Sequence, residues 1–416
     1  MLARPGRRNI HSNAFSPSDG LSEEETAGGE GQNGVACVWF STHHPHPVYE
    51  LARSFAEREM LPKAAQWDAE ELFPRKELKL LAELGFAGAY VRDEFGGSGL
   101  SRVAASVVFE ALAAACPSTT AYLTIHNMVA WMIDTYGSPA QRERWVPSLC
   151  AMERLGSYCL TEPGAGSDAA ALQTSARDAG SHLVLNGEKA FISGGGESDV
   201  YVVMCRTGDA SSRGISAVVV EKGTPGLSFG KKEKKLGWNS QPTRAVIFED
   251  CCVPKENVLG QLGQGFKIAL SGLDGGRVNI SACSLGAAYG SLTVAVEHVK
   301  QRKQFGAPLA SFQDVQFKLA DFAISLAASR ALVRRAAAKI DAADPARSVH
   351  CAMAKRFATE ACFEVCNGAL QLLGGYGYLA GPVQRYMRDA RVHTILEGTS
   401  AVMQLITSRE ILKDRT

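Results

Sequence analysis

No C-x-x-C pair occurs anywhere in this 416-residue chain, although it holds 11 cysteines. That absence argues against a thiolate zinc site or a dithiol redox pair. Cysteines scattered through apolar stretches, as at Cys116, Cys283 and Cys366, read instead as reduced thiols of an intracellular protein. The adjacent Cys251 and Cys252 leave a vicinal disulfide open, with packing and strand-edge roles as the stronger reading. Charge of one sign is missing too: 44 basic against 43 acidic residues leave a formal net charge of +1, so nothing points to nucleic acid or an anionic membrane. Nor is there a membrane span, since the long apolar region from Val103 to Ile133 is broken by Glu110, Pro117 and Asn127. What is present is 46% hydrophobic and 21% charged residues, a composition able to bury a large core in two or three domains.

Acids are absent before Asp19, and the residues ahead of it include Arg4, Arg7, Arg8, Ser12 and Ser16. Residues 1–18 therefore have the composition of a mitochondrial transit peptide, with a disordered basic tail as the alternative. Residues 19–47 read as an irregular insert. Ser22-Glu23-Glu24-Glu25 opens like a capped helix, but Gly28, Gly29, Gly31 and Gly34 interrupt it. Gly29 to Gly34 also spells G-x-G-x-x-G, without the preceding strand and following βαβ unit that a dinucleotide site needs. His43, His44 and His46 alternate with Pro45 and Pro47 and read as a loop rather than a metal site.

Three blocks follow. Residues 48–157 carry apolar residues at helical spacing (Leu51, Phe55, Met60, then Leu78, Leu81, Leu84), with an alanine-rich buried helix from Ser101 to Ala115 closed by Pro117. Helices are expected as far as about Ser157. Residues 158–263 switch to short β-branched runs, such as Tyr201 to Met204 and Ile215 to Val220, which predict a small β-sandwich or barrel. The mixed run Lys231 to Lys235 reads as a solvated loop on it. Residues 264–416 return to helix, with one long element from Phe266 to Val299 and a stripe through Val315, Leu319, Phe322, Leu326, Val333 and Ile340. The whole is an α+β chain: an N-terminal helical domain, a middle β domain and a C-terminal four-helix bundle.

Several strings carry the chemistry. Tyr158-Cys159-Leu160-Thr161-Glu162-Pro163-Gly164-Ala165-Gly166-Ser167-Asp168 gathers exposed backbone N–H groups and hydroxyls, which suits an anion or an electron-rich ring. Gly187 to Gly194 contains Phe191, Ile192 and Ser193; taken alone, Phe191 is a core aromatic of a strand. Arg302-Lys303-Gln304-Phe305-Gly306 is followed by Phe312 and Gln313, and Gln371 to Gly377 contains Gly374 and Gly375. Arg391 to Ser400 places Glu397 before Gly398-Thr399.

Together these strings resemble the acyl-CoA dehydrogenase family from about Tyr49 to the C-terminus. The resemblance implies FAD as cofactor, contacted by Tyr158, Cys159, Leu160, Thr161 and Ser167, by Phe191, Ile192 and Ser193, and by Thr399, Ser400 and Ala401. Arg302, Phe312 and Gln313 would reach the FAD of a neighbouring subunit, and Gln371, Gly374 and Gly375 would lie against the adenosine side of the cofactor. Glu397 would be the base that removes the α-proton of an acyl-CoA thioester, with Ser167, Asp274, Gly275, Gly276, Arg277 and Arg409 on the substrate side. Some relatives place the base immediately before an arginine corresponding to Arg277; here that position is Gly276. Two departures stand out: Ala380-Gly381-Pro382 and Ala401 replace residues that are commonly acidic.

Ile125 to Met128, Gly194 to Asp199 and Lys234 to Arg244 are similar to the branch that converts isobutyryl-CoA to methacrylyl-CoA in valine breakdown. The alternatives are a short-chain or 2-methyl-branched acyl-CoA substrate and, from other classes, an acyl-CoA oxidase or a flavin-free binding protein on the same fold. The resemblance further implies a homotetramer, electron-transfer flavoprotein as redox partner and a mitochondrial matrix location.

Overall fold

A computed structural model describes residues 47–413. The transit-peptide reading, the Gly29 to Gly34 string, the histidine cluster and nearly all of the irregular insert lie outside the described residues. Helices α1 (Pro47–Phe55), α2 (Ala64–Ala69), α3 (Arg75–Glu83), α4 (Arg102–Ala113), α5 (Pro117–Tyr136) and α6 (Pro139–Cys150) form the first layer. Ser101 caps α4 by accepting from the Ala104 N–H at 3.0 Å. Pro117 opens α5 rather than merely closing α4, because a first-turn proline forfeits no intrahelical hydrogen bond.

The expectation of helix as far as Ser157 is corrected. α6 ends at Cys150, and strand β1 (Gly156–Cys159) follows. A Cβ at Gly156 would come within 2.7 Å of Val129 Cγ1, so the strand can pass this close to α5 only as glycine. His126 ties the same junction: its Nε2 bonds the Leu149 carbonyl at 2.9 Å and its Nδ1 accepts from the Gly156 N–H at 3.0 Å. Burial pushes this imidazole down to about 4, so it stays neutral near pH 7.

Strands β2 (Ser175–Asp178), β3 (His182–Ser193), β4 (Val200–Arg206), β5 (Ile215–Glu221), β6 (Leu227–Phe229), β7 (Thr243–Pro254) and β8 (Val258–Leu259) complete the sheet. The strand order is β6-β7-β3-β2-β4-β5-β8, with β1 parallel to β4. β2 and β4 share a single residue pair, Ser175 with Arg206, so the sheet divides there into two halves. Cys159, Leu185, Tyr201, Val203, Val218 and Phe248 from both halves share one core. Val200, Val202 and Met204 turn the other way and pack with Met128, Met132 and Trp145 of the helices. Burial on both faces is why β4 reads as an unbroken apolar run rather than an alternating one.

The charged run is solvated at Lys231 and Lys234, as expected, and half-buried at Lys232, Glu233 and Lys235. Lys232 and Lys234 pair with Glu71. Lys235 Nζ donates to the Gln241 carbonyl at 2.6 Å and to Thr243 Oγ1 at 2.9 Å. On β7, Cys251 is buried and Cys252 exposed, and both are free thiols, so there is no vicinal disulfide.

The last layer holds α7 (Gly265–Gln301), the short strands β9 (Lys303–Gln304) and β10 (Ala307–Pro308), α8 (Gln313–Asp341), α9 (Arg347–Leu373), α10 (Gly375–Tyr378), α11 (Pro382–Arg391) and α12 (Ser400–Ile411). Leu285 of α7, Val333 of α8, and Cys362 and Val365 of α9 share its core. The predicted stripe of α8 is fully buried only at Leu326 and Val333. Val315, Leu319, Phe322 and Ile340 are half-buried, and Phe317 and Ile324 are exposed. Among the described residues no helix is long and apolar enough to cross a membrane.

Candidate active site

Thr399 caps α12 by accepting from the Val402 N–H, and the turn that feeds this cap has positive φ at two consecutive residues, Glu397 (+57°) and Gly398 (+93°). A glutamate in that conformation costs on the order of 1–3 kcal/mol and persists only where its surroundings enforce it. Two buried cations do so. Arg277 Nε donates to the Glu397 carbonyl at 3.2 Å, and Lys355 Nζ donates to the Gly398 carbonyl at 2.8 Å. Arg277 is itself fixed by Asp274 at 2.9 Å, which accepts from Ser348 Oγ at 2.5 Å.

The Glu397 side chain points into the protein, where Oε2 is buried without a hydrogen-bond partner. Burial raises its pKa to about 7, against the opposing pull of Arg277 and Lys355. Room for the carboxyl group comes from α7: a Cβ at Gly276 would lie 2.5 Å from Oε2 and 2.6 Å from Cδ. Tyr158 reaches the same region from β1, and its hydroxyl is also buried and unpartnered. Burial first, and the Glu397 charge second, hold that phenol well above its usual pKa. A carboxylate with one sheltered oxygen and a pKa near neutrality, facing a neutral phenol, is suited to taking a proton from a weak carbon acid.

The Tyr158 to Asp168 string runs from β1 into a loop pinned by a buried ion pair. Lys189 Nζ bonds Glu162 Oε1 at 2.7 Å and the Leu160 carbonyl at 3.1 Å, while the Glu162 carboxylate accepts the N–H groups of Gln173 and Thr174. Both residues lie inside the strings that drew notice in the sequence, yet neither was singled out there. Lys189→Met should lower stability by about 3 kcal/mol, since breaking a buried pair strands a charge. Urea unfolding would measure it, and a loss below about 1 kcal/mol would mean that other contacts hold the loop.

The predicted residues of this loop differ in what they offer a ligand. The Cys159 side chain lies in the sheet core, with burial pushing its thiol up to about 12, and Leu160 is buried. The Thr161 carbonyl accepts from the Ala190 N–H at 2.8 Å, and Ser167 is exposed. Ile192 is buried, and the Ser193 carbonyl accepts from Ser157 Oγ at 2.6 Å. Phe191 is 70% exposed with φ of +59°, at a bulge where the β3–β7 register slips. It is not a core aromatic: the bulge turns the ring outward at a cost in backbone strain.

Arg302, Phe312, Gln313, Gln371, Gly374 and Gly375 gather elsewhere. Arg277 stands about a third of the way along the 37-residue α7 and Arg302 caps its C-terminus, about 35–40 Å apart at 1.5 Å per residue. The Arg302 guanidinium lies 5.6 Å from the Tyr376 ring, and Phe312 packs edge-on against the nearly fully exposed Phe305. Within one chain, then, this cluster does not meet Glu397. Asp274, Gly275, Gly276 and Arg277 do adjoin the Glu397 turn, although the Asp274 and Arg277 side chains are engaged with each other. The Thr399 hydroxyl serves the helix cap, and Ser400 Oγ bonds Glu360 at 2.5 Å. Ala401 and Arg409 are exposed on α12. Lys355 was missed because nothing local in the sequence of α9 marks it.

Comparison with known proteins agrees along the length of the chain. Residues 44–153, 157–251 and 263–412 match the N-terminal, middle and C-terminal domains of acyl-CoA dehydrogenase, respectively. The mitochondrial isobutyryl-CoA dehydrogenase of Bos taurus is 55% identical over 98% of this chain and 93% of its own length. That of Dictyostelium discoideum is 60% identical over 88% of each. Among solved structures, butyryl-CoA dehydrogenase from Megasphaera elsdenii superposes with a TM-score of 0.86 at 37% identity, covering 92% of this chain and 100% of that one.

Proposed function

Since the chain belongs to the acyl-CoA dehydrogenase family, we propose that it oxidises isobutyryl-CoA to methacrylyl-CoA, with FAD as cofactor and Glu397 as the catalytic base. The observation that carries this reading is the buried, unpartnered Oε2 of the half-buried Glu397, beside the bare face of α7 at Gly276. Residues on this chain, some beside the Glu397 turn and some in the distant cluster, fit a flavin. The strained Phe191 ring offers a flat exposed face, Thr161 is half-buried on the pinned loop, and a Cβ at Gly374 or Gly375 would meet nothing within 4 Å, which leaves backbone open to a ligand.

When bound, the flavin supplies the two-electron acceptor for the hydride that leaves the β-carbon. The protein's share is proton transfer and positioning. Glu397 Oε2 takes the α-proton, and the Glu397 backbone N–H donates to the thioester oxygen, where negative charge develops. Arg277 and Lys355 fasten the turn, so the carboxylate need not reorganise as the proton moves. Ser167 and Arg409, both exposed, are assigned to the substrate side of the site.

A homotetramer is supported by the apolar side chains left exposed on the last layer, among them Phe317, Ile324, Tyr378 and Leu405. Sharing of sites between subunits would give the distant Arg302 cluster a flavin to contact, with its guanidinium suited to the pyrophosphate. The relatives' mitochondrial designation supports a matrix location, where electron-transfer flavoprotein would take the electrons.

The test is anaerobic mixing of the flavin-loaded protein with isobutyryl-CoA or butyryl-CoA while visible absorption is followed. Faster bleaching by isobutyryl-CoA is expected. Preference for butyryl-CoA would replace the branched substrate with a short straight one, and a protein that no thioester bleaches would overturn the dehydrogenase reading.

A further inference from the structure

Lys355 of α9 is fully buried, yet its ammonium group forms no ion pair among the described residues; its hydrogen bond goes to the Gly398 carbonyl at 2.8 Å. A buried ammonium without a carboxylate in contact is costly unless an opposite charge stands close by. The acids that act on it are Glu397 and, less strongly, Glu360. We propose that Lys355 is a positioning residue for Glu397: it locks the Glu397–Gly398 turn through the Gly398 carbonyl and provides one of two buried positive charges that favour the ionised form of the Glu397 carboxylate.

The proposal rests on Glu397 being the base. Its geometric support is that two cations from different helices, Arg277 from α7 and Lys355 from α9, bond consecutive carbonyls of one positive-φ turn. The remaining titratable groups that face Glu397 carry no compensating charge. Tyr158 of β1 and Tyr90, ahead of α4, are phenols held above their usual pKa by burial, and Asp274 is neutralised by Arg277. Burial pushes Lys355 down to about 8, Arg277 and Arg356 repel its ammonium, and Glu397 and Glu360 attract it, so it carries its charge below that pH. As the α-C–H bond breaks, its proton passes to Glu397 and its electron pair to the thioester oxygen. The two cations then face a neutral acid, and their field acts on the substrate's new negative charge.

Two substitutions separate charge from hydrogen bonding. Lys355→Met keeps most of the apolar stem and removes both, whereas Lys355→Gln removes the charge and keeps an N–H donor. The carboxyl stretch of Glu397 is titrated by infrared difference spectroscopy in the flavin-loaded, substrate-free protein and assigned by its loss in Glu397→Gln. Both variants should move the Glu397 midpoint upward by about one pH unit, the size expected when one nearby opposite charge is lost. The acid limb of flavin bleaching should move with it. An unchanged midpoint in a folded variant would reduce Lys355 to a packing residue, and if the Met variant fails to fold, the Gln variant decides. A wild type that no thioester bleaches, but whose variants still shift the midpoint, would overturn the dehydrogenase reading and leave standing only the electrostatic coupling of Lys355 to Glu397.

Discussion

Glu397→Gln should slow bleaching of the flavin by isobutyryl-CoA about 10³–10⁴-fold, the upper range for loss of a positioned general base. It should also make the protein more stable at pH 8. Both effects have one cause. Burial lifts the Glu397 pKa from 4.5 to about 7, a value that already includes the attraction of Arg277 and Lys355. A carboxyl group with a raised folded-state pKa destabilises the fold fully above pH 7, where it is ionised in both states, and not at all below about 4.5, where it is protonated in both. At about 1.4 kcal/mol per pH unit the cost is roughly 3 kcal/mol. Urea midpoints should therefore rise in the variant at pH 8 and barely change at pH 5. A variant less stable at pH 8 would mean that the carboxylate is better solvated than its burial indicates. In the wild type, bleaching should fall as pH drops below about 7, because the base becomes protonated.

Gly276→Ala is expected to lower the bleaching rate about 100-fold without loosening the fold. Glycine is the weaker helix former by about 1 kcal/mol, so alanine favours α7. Its methyl group would nevertheless sit 2.5–2.7 Å from all three atoms of the Glu397 carboxyl group. The backbone at Glu397 is fastened at its own carbonyl and at the next one, so the side chain must rotate, and a displacement near 1 Å from productive geometry costs about that factor. Substrate titrations would separate the effects: a fall in maximal rate at nearly constant half-saturation fits a displaced base. A large rise in half-saturation with the rate preserved would mean that Gly276 makes room for the acyl chain instead.

The strings around Thr161 and Glu397 were legible because each element of the site is a contiguous run at a glycine-bearing turn. β4 and β5 were legible because burial on both faces leaves an unbroken apolar run. What could not be read is whatever depends on two distant strings meeting. Lys355 binds a carbonyl on a turn that follows two further helices, and nothing in α9 distinguishes it from any other lysine. The single-pair link between β2 and β4 is a matter of register, and no side-chain pattern encodes it. Phe191 showed the same limit from the other side: its strand composition suggested a core position, and only its positive φ and the bulge turn the ring outward. Lys232 read as solvated because its partner, Glu71, sits in a different layer.

The unbroken length of α7 fixes an angle as well as a distance. Inserting one residue between Arg277 and Arg302 would lengthen the helix by only about 1.5 Å but rotate everything beyond it by about 100°. Arg302 would then leave the side of the molecule that carries Tyr376, while Gly276 and Arg277 kept theirs. Homologous chains should therefore tolerate length changes in the loops on either side of α7 and none within it, because a single added residue puts its two ends out of phase.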